Sequence, residues 1–96
     1  MSDSSTFTLH PTGRFDFNSY NEFRQSYESA LAIEGLQTLI VDLSDVQYID
    51  SAALGILLLL RDKASESSTH VVLSNAQGTV KDVLQIANFH RIFSVS

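Results

Sequence analysis

The sequence predicts an α/β fold in which helices pack against a mainly parallel sheet. Short apolar runs alternate with longer segments whose apolar residues recur at helical spacing, and turn residues separate them. This alternation gives the order β-α-β-α-β-α-β, which is typical of a parallel sheet covered by helices. Contacts with a partner or ligand in such folds gather beyond the carboxyl ends of the strands.

Length and composition indicate one compact domain over residues 1–96, in which residues 1–6 form a polar, frayed tail. Hydrophobic residues make up 44% of the chain and charged residues 18%, which is ordinary for a globular protein. A disordered chain would carry fewer apolar residues and a higher fraction of charge.

The charge and the residue types exclude several classes of function. A net charge of −5 argues against nucleic acid and against an anionic membrane surface as partners. The absence of cysteine excludes disulfides, thiolate zinc sites and cysteine nucleophiles, and it fits a reducing compartment. The N-terminus lacks the basic-then-apolar pattern of a secretory signal. The longest apolar run, Ala52 to Leu60, is nine residues long, whereas a membrane helix needs about twenty. We therefore expect a cytoplasmic protein.

The first half of the chain begins with an extended segment from Phe7 to Phe15. Pro11 and Gly13 interrupt this segment, so the strand is expected at a sheet edge or at a bend. A helix is predicted over 19–33, with Ser19 and Glu22 forming a capping box. Gly35 is expected to end this helix in the left-handed conformation.

The second half predicts three more strands and two more helices. A buried strand is predicted at 39–43, and the apolar residues within 46–49 are expected to bring the chain back towards the core. A helix is predicted over 52–64 because of its alanine and leucine content. A strand at 70–74, a helix at 79–88 and a short final strand within 89–95 complete the pattern.

Asp50 and Ser51 lie where a strand passes into a helix. Local chemistry alone favours Ser51 as a plain helix cap. The same position also suits a phosphate, because helix N-termini present unpaired N–H groups and a positive dipole end. The residues alone leave both interpretations open.

Three kinds of chemistry are poorly supported. Ser51 does not lie in a Gly-x-Ser-x-Gly elbow, and no motif places a histidine as its base. A receiver-like Mg²⁺ pocket would draw on Asp42, Asp45 and Asp50, but the first strand leads only to Asp16 and not to a pair of acids. The glycines are isolated, and the histidines lack the spacing of metal ligands, so no metal and no cofactor are expected.

The stretch from Leu39 to Gly55 resembles the signature of the STAS domain, in particular that of the bacterial anti-sigma factor antagonists. Its pattern is an apolar strand, Asp-Leu-Ser, an aromatic residue, and then Asp-Ser-Ala-Ala-Leu-Gly opening a helix. The segments Gly13 to Asp16 and Ala87 to Phe93 are also similar to that family. The resemblance implies a STAS-type fold with a mixed, mostly parallel sheet of four to five strands, shortened at both termini.

The resemblance also implies a function and a site. In the family, the serine after the aspartate is phosphorylated by an anti-sigma factor that is itself a Ser/Thr kinase, and a PP2C-type phosphatase reverses the modification. Ser51 occupies that position, so the protein is expected to be no enzyme but a binding module that captures the anti-sigma factor when Ser51 is unphosphorylated. The partner-binding residues implied by the resemblance are Asp16, Asp50, Ser51, Ala52, Leu54 and Gly55.

Several alternatives stay open on the sequence. The same switch could control another effector, such as a cyclase or a biofilm or motility regulator. A nucleotide or small ligand could bind at the strand ends. The first of the family's two leading strands is expected to be missing or reduced, and a C-terminal helix seen in many members is not expected. The exposed sheet edges allow a monomer or a weak homodimer.

Overall fold

A computed structural model describes residues 5–95 of the protein. The predicted tail lies outside this range at residues 1–4, whereas Thr6 already belongs to the first strand. The strands are β1 (Thr6–Leu9), β2 (Gly13–Phe15), β3 (Thr38–Asp42), β4 (Val46–Ile49), β5 (His70–Ser74) and β6 (Ser94–Val95). The helices are α1 (Tyr20–Leu31), α2 (Ser51–Glu66) and α3 (Gly78–Ile86), with short 3₁₀ helices at Phe17–Ser19 and Phe89–Arg91.

The strands form two parallel groups. A four-stranded sheet has the order β1-β3-β5-β6, and a separate two-stranded sheet pairs β2 with β4. The predicted mostly parallel sheet is therefore confirmed, and every strand pair of the described residues is parallel. Both strands that precede α1 are present, so neither is missing, although they are only four and three residues long.

The chain bends between the two sheets at Pro11 and Gly13, as the sequence predicts. Gly13 has a φ of +70°, and its N–H donates to the carbonyl oxygen of Asp45 at 2.9 Å. Positive φ is readily adopted by glycine because it lacks a Cβ atom. β1 lies at the edge of the four-stranded sheet, which confirms the placement that Pro11 predicts.

Helix α2 forms the centre of the core. Its buried residues recur at helical spacing, which gives one continuous apolar face; they are Ala53, Ile56, Leu57, Leu60 and Ala64. Helix α1 packs against α2. Phe23 of α1 also contacts Phe15 of β2, with their ring centroids 4.9 Å apart. The core fixes the start of α2 relative to the sheet.

Three details of the sequence predictions are wrong. Ser19 makes no side-chain cap to α1, because its hydroxyl donates instead to the carbonyl oxygen of Arg14 at 3.0 Å. Gly35 has the predicted positive φ, but it lies in the turn after α1, which ends at Leu31. The final strand is only Ser94–Val95, because a 3₁₀ helix occupies Phe89–Arg91.

Candidate functional site at the start of α2

The register of β2 and β4 brings two of the predicted site residues to one edge. Phe15 on β2 lies opposite Ile49 on β4, and both side chains are buried. Because the two strands are parallel, the residues that follow them, Asp16 and Asp50, leave the same end of the pair. The family resemblance implies that these two acids border one surface, and the pairing of β2 with β4 brings their backbones to the same end of the two-stranded sheet.

Asp50 is the N-cap of α2. Its backbone is extended, and its Oδ1 atom accepts a hydrogen bond from the N–H of Ala53 at 2.9 Å. The N–H of Leu54 donates to the carbonyl oxygen of Asp50 at 3.2 Å. A carboxylate at this position satisfies a free amide and meets the positive end of the helix dipole.

Ser51 is the first residue of α2, and its side chain is exposed. The interpretation of Ser51 as the helix cap is wrong, because Asp50 fills that role. Within residues 5–95, no hydrogen bond is found for the Ser51 hydroxyl, nor for the backbone N–H groups of Ser51 and Ala52. The hydroxyl is therefore accessible from solvent beside two amides that lack partners in the helix.

Asp16 repeats the capping arrangement at the end of β2. Its Oδ1 atom accepts from the N–H of Asn18 at 3.0 Å, and its own N–H donates to the hydroxyl oxygen of Ser19 at 3.3 Å. These two bonds make a capping box around the Phe17–Ser19 3₁₀ helix. The side chain of Asp16 is only 16% exposed, and its Oδ2 atom lies 3.5 Å from Nε of Arg14.

The remaining predicted partner-binding residues differ in their exposure. Gly55 is exposed, and a Cβ atom added there would meet nothing within 4 Å. Ala52 is half-buried, and Leu54 packs against the core from a half-buried position. We define the Ser51 surface as Asp16, Asp50, Ser51, Ala52 and Gly55.

Two aromatic residues near this surface have a placement that the sequence does not predict. Tyr48 lies in the segment that is expected to return towards the core, yet it is 39% exposed, and Phe17, for which the sequence gives no placement, is 73% exposed. Arg14 lies over the Tyr48 ring at 4.1 Å from its centroid, opposite it in the strand register. The exposure of Tyr48 is partly indicated by its position in the strand. Consecutive strand residues point to opposite faces, so Tyr48 points away from the face on which Ile49 is buried.

The three aspartates of the receiver-like alternative have different neighbours. The Oδ2 atoms of Asp42 and Asp45 lie 3.7 Å and 2.8 Å from His10 ring nitrogens, whereas Asp50 caps α2. The pKa of Asp42 is lowered, first because its carboxylate accepts from the backbone N–H of Ser44, and further by the Ser44 and Asn75 side chains. Among residues 5–95, no group of three or more acidic, histidine or cysteine side chains could hold a metal ion.

A comparison with known families identifies the family of the chain. The model of the STAS domain matches residues 2–96, so the chain belongs to the STAS domain family. A STAS-domain containing protein of Pseudomonas aeruginosa is 38% identical over 94 residues, which are 98% of this chain and 91% of that protein. Among residues 5–95, no helix has the length and apolar character required to span a membrane.

Solved structures with the same fold come from more than one kind of protein. A Thermotoga maritima protein described as a candidate anti-sigma factor antagonist superposes with a TM-score of 0.83 at 24% identity, covering 99% of this chain and 80% of that chain. The unphosphorylated anti-sigma factor antagonist SpoIIAA gives 0.72 at 18% identity, covering 100% and 83%. The STAS domain of a Vibrio cholerae SulP transporter gives 0.79 at 20% identity, covering 99% and 75%.

Proposed function

We propose that the protein is a phosphorylation-switched binding module that antagonises an anti-sigma factor in the cytoplasm. In this proposal, Ser51 is the phosphoacceptor and the anti-sigma factor is the Ser/Thr kinase that modifies it. The unphosphorylated protein captures the kinase, and a PP2C-type phosphatase restores the capturing form. The chain itself performs no catalysis, because the phosphoryl-transfer chemistry belongs to the kinase and the phosphatase.

The observation that carries the proposal is the accessible hydroxyl of Ser51 beside a helix cap that a different residue provides. Because Asp50 caps α2, the structure does not depend on the Ser51 hydroxyl. A kinase can approach an exposed first residue of a helix without unfolding that helix. The modification therefore changes the surface and leaves the fold in place.

The charge of a phosphate explains how the switch acts. Phosphorylation adds about −1.5 to −2 charges and three acceptor oxygens. The helix dipole and the free amides at the start of α2 accommodate that charge within the protein. A partner that packs closely against the Ser51 hydroxyl leaves no room for the phosphate, and binding would have to strip water from its charge, so the contact would be lost.

SpoIIAA, which shares the fold, has been solved in unphosphorylated and phosphorylated forms. At 18% identity this is a likeness of fold, so the assignment of the switch to this chain rests on Ser51 itself.

A second candidate is the same switch acting on another effector, such as a cyclase, biofilm or motility regulator. The observation that favours it is that a SulP transporter contains a domain of the same fold, so the fold by itself does not determine which protein is bound. The Ser51 surface would work identically in both cases, and only the captured protein would differ.

Intact-mass analysis of the protein purified from its native cells tests the modification. We expect a fraction of the wild type to carry one phosphate that maps to Ser51 and disappears in Ser51→Ala. The binding test measures the affinities of Ser51→Ala and Ser51→Glu for the kinase that co-purifies with the protein. Ser51→Ala should bind tightly and Ser51→Glu weakly.

Ser65 supplies a matched control, because it is an exposed serine in the last turn of the same helix. Ser65→Glu adds the same charge at the far end of α2 and should bind like the wild type. Equal affinity of Ser51→Ala and Ser51→Glu would refute the switch. Capture of a different effector by Ser51→Ala, with no kinase bound, would favour the second candidate.

A further inference from the structure

We propose that Phe17 is the apolar anchor of the partner interface and inserts into an apolar pocket on the protein that binds the Ser51 surface. The identity of that partner as an anti-sigma kinase rests on the proposed function. The role of Phe17 as an anchor rests on its own exposure, position and rigidity.

The exposure of Phe17 has no explanation within the fold. Phe15 and Phe23 are 1% and 6% exposed and belong to the core, whereas Phe17 is 73% exposed and lies outside the core cluster. A solvent-exposed phenylalanine does not add to the stability of the fold, but a partner that covers it removes a large apolar area from water. Aromatic residues of this kind dominate the binding energy of many interfaces.

Phe17 lies beside the Ser51 surface. It directly follows Asp16, just as Ser51 directly follows Asp50, and these two acids leave the same end of the β2–β4 pair. Cα atoms of the Phe17–Ser19 3₁₀ helix approach those of α2 within 8 Å. A partner that covers Ser51 would therefore reach Phe17 as part of the same contact.

The backbone at Phe17 is held in place before any partner arrives. The Asp16 side chain accepts from Asn18, and the N–H of Ser19 donates to the carbonyl oxygen of Asp16 at 2.9 Å. The hydroxyl of Ser19 donates to the carbonyl oxygen of Arg14 at 3.0 Å, which ties the 3₁₀ helix back to β2. Binding therefore orders little more than the two side-chain torsions of Phe17.

The surrounding charges define the kind of partner. Arg14 lies beside the Asp16 carboxylate, whereas Asp50 makes no ion pair among residues 5–95. A complementary surface would place a basic side chain opposite Asp50 and an apolar pocket opposite Phe17. Gly55 adds an open patch without a side chain, which allows close approach of a partner backbone.

Photo-crosslinking in the native cells tests the anchor directly. Phe17→p-benzoylphenylalanine is introduced into the Ser51→Ala protein, with Ile86→p-benzoylphenylalanine as the matched control. Ile86 is 82% exposed on α3 and is therefore at least as accessible to non-specific contact. We expect a crosslink to the kinase from position 17 and none from position 86.

Affinity for the crosslinked kinase gives the quantitative test. Phe17→Ala should weaken binding at least about 30-fold, and the affinity of Phe17→Leu should lie between those of the wild type and Phe17→Ala. The affinity of Ile86→Ala should stay within about threefold of the wild type. No crosslink from position 17, equal crosslinking from both positions, or a loss below about threefold in Phe17→Ala would overturn the proposal. A crosslink from position 17 only to a second copy of the chain would overturn it as well.

The outcomes separate this proposal from the proposed function. If Ser51→Glu binds as tightly as Ser51→Ala while Phe17→Ala loses affinity, the switch fails and the anchor stands. If Ser51→Glu binds weakly while Phe17→Ala binds normally, the switch stands and the anchor fails.

Discussion

Asp16 directly follows β2 and Asp50 directly follows β4, and these two strands form one hydrogen-bonded parallel pair. Each of the two acids caps the helix that follows it. The carboxylate of Asp16 accepts from Asn18, two residues on, and that of Asp50 accepts from Ala53, three residues on. The two acids therefore have a structural role whatever their role in binding. Substitutions at these positions must be designed so that loss of a cap is not mistaken for loss of a partner contact.

Asp50→Ala should lower the free energy of unfolding by about 1 kcal/mol, because the N–H of Ala53 loses its acceptor. Asp50→Asn keeps an acceptor oxygen and removes the charge, so it should lose less stability. Urea denaturation followed by circular dichroism measures both variants. If Asp50→Asn is as unstable as Asp50→Ala, the charge rather than the cap contributes the stability.

Asp16→Ala should destabilise the protein by a similar amount, about 1 kcal/mol, because the N–H of Asn18 loses its carboxylate acceptor, whereas the bond from the backbone N–H of residue 16 to Ser19 is kept. Arg14→Gln leaves the box intact and removes only an exposed ion pair and the contact with Tyr48, so its effect should stay below about 1 kcal/mol. Thermal and urea unfolding of the two variants provide the comparison. A larger loss in Arg14→Gln than in Asp16→Ala would contradict this ranking.

The sequence predicts the elements of the fold well, because their patterns are long and consistent. The apolar spacing of α2 and the turn residues around Pro11 reflect local preferences that the packed structure retains. The split into two sheets is not predicted, because pairing of β2 with β4 depends on contacts between residues over thirty positions apart. Periodicity carries no information on which strands become neighbours.

The site is predicted by position but not by role. The motif correctly places Asp50 and Ser51 at a helix start, but local chemistry favours Ser51 as the cap, whereas the structure gives that role to Asp50; both residue types are favoured there. The exposure of Phe17 is not predicted by the sequence, because Phe15 and Phe17 alternate in the way that is typical of a buried strand face. The 3₁₀ helix that begins at Phe17 breaks that alternation and turns the side chain outward.

Ser51→Glu should fold as stably as the wild type, with a free energy of unfolding within about 0.5 kcal/mol. An acidic side chain in the first turn is favoured by the helix dipole, by about 0.3–1 kcal/mol, and the neighbouring Asp50 offsets part of that gain. Urea denaturation checks this expectation. A loss above about 1 kcal/mol would mean that weak binding of Ser51→Glu reflects unfolding rather than charge.

Leu57 and Leu59 offer a matched pair for the importance of the α2 core face. Leu57 is fully buried and Leu59 is 47% exposed on the same helix. Leu57→Ala should cost about 2–5 kcal/mol because it leaves a cavity, whereas Leu59→Ala should stay within about 0.5 kcal/mol. In a domain of this size such a loss threatens folding itself. Similar unfolding midpoints for the two variants would contradict the assigned packing.

The lowered pKa of Asp42 predicts a specific acid sensitivity. Its carboxylate accepts from the N–H of Ser44 at 3.0 Å and from the Asn75 amide at 3.2 Å, so the folded protein holds it ionised below the ordinary value of 3.8. Because the unfolded chain then binds the proton more readily, the stability that Asp42 contributes is complete above that value. This stability is lost as the pH falls through the lower pKa of the folded state.

Asp42→Asn should therefore be less stable than the wild type near neutral pH, and the difference should shrink as the pH falls below about 4. Urea denaturation at a series of pH values measures the difference, with Asp62→Asn on the exposed face of α2 as the control for loss of one charge. A difference between wild type and Asp42→Asn that persists unchanged at low pH would show that the hydrogen bonds stabilise the protein independently of the charge.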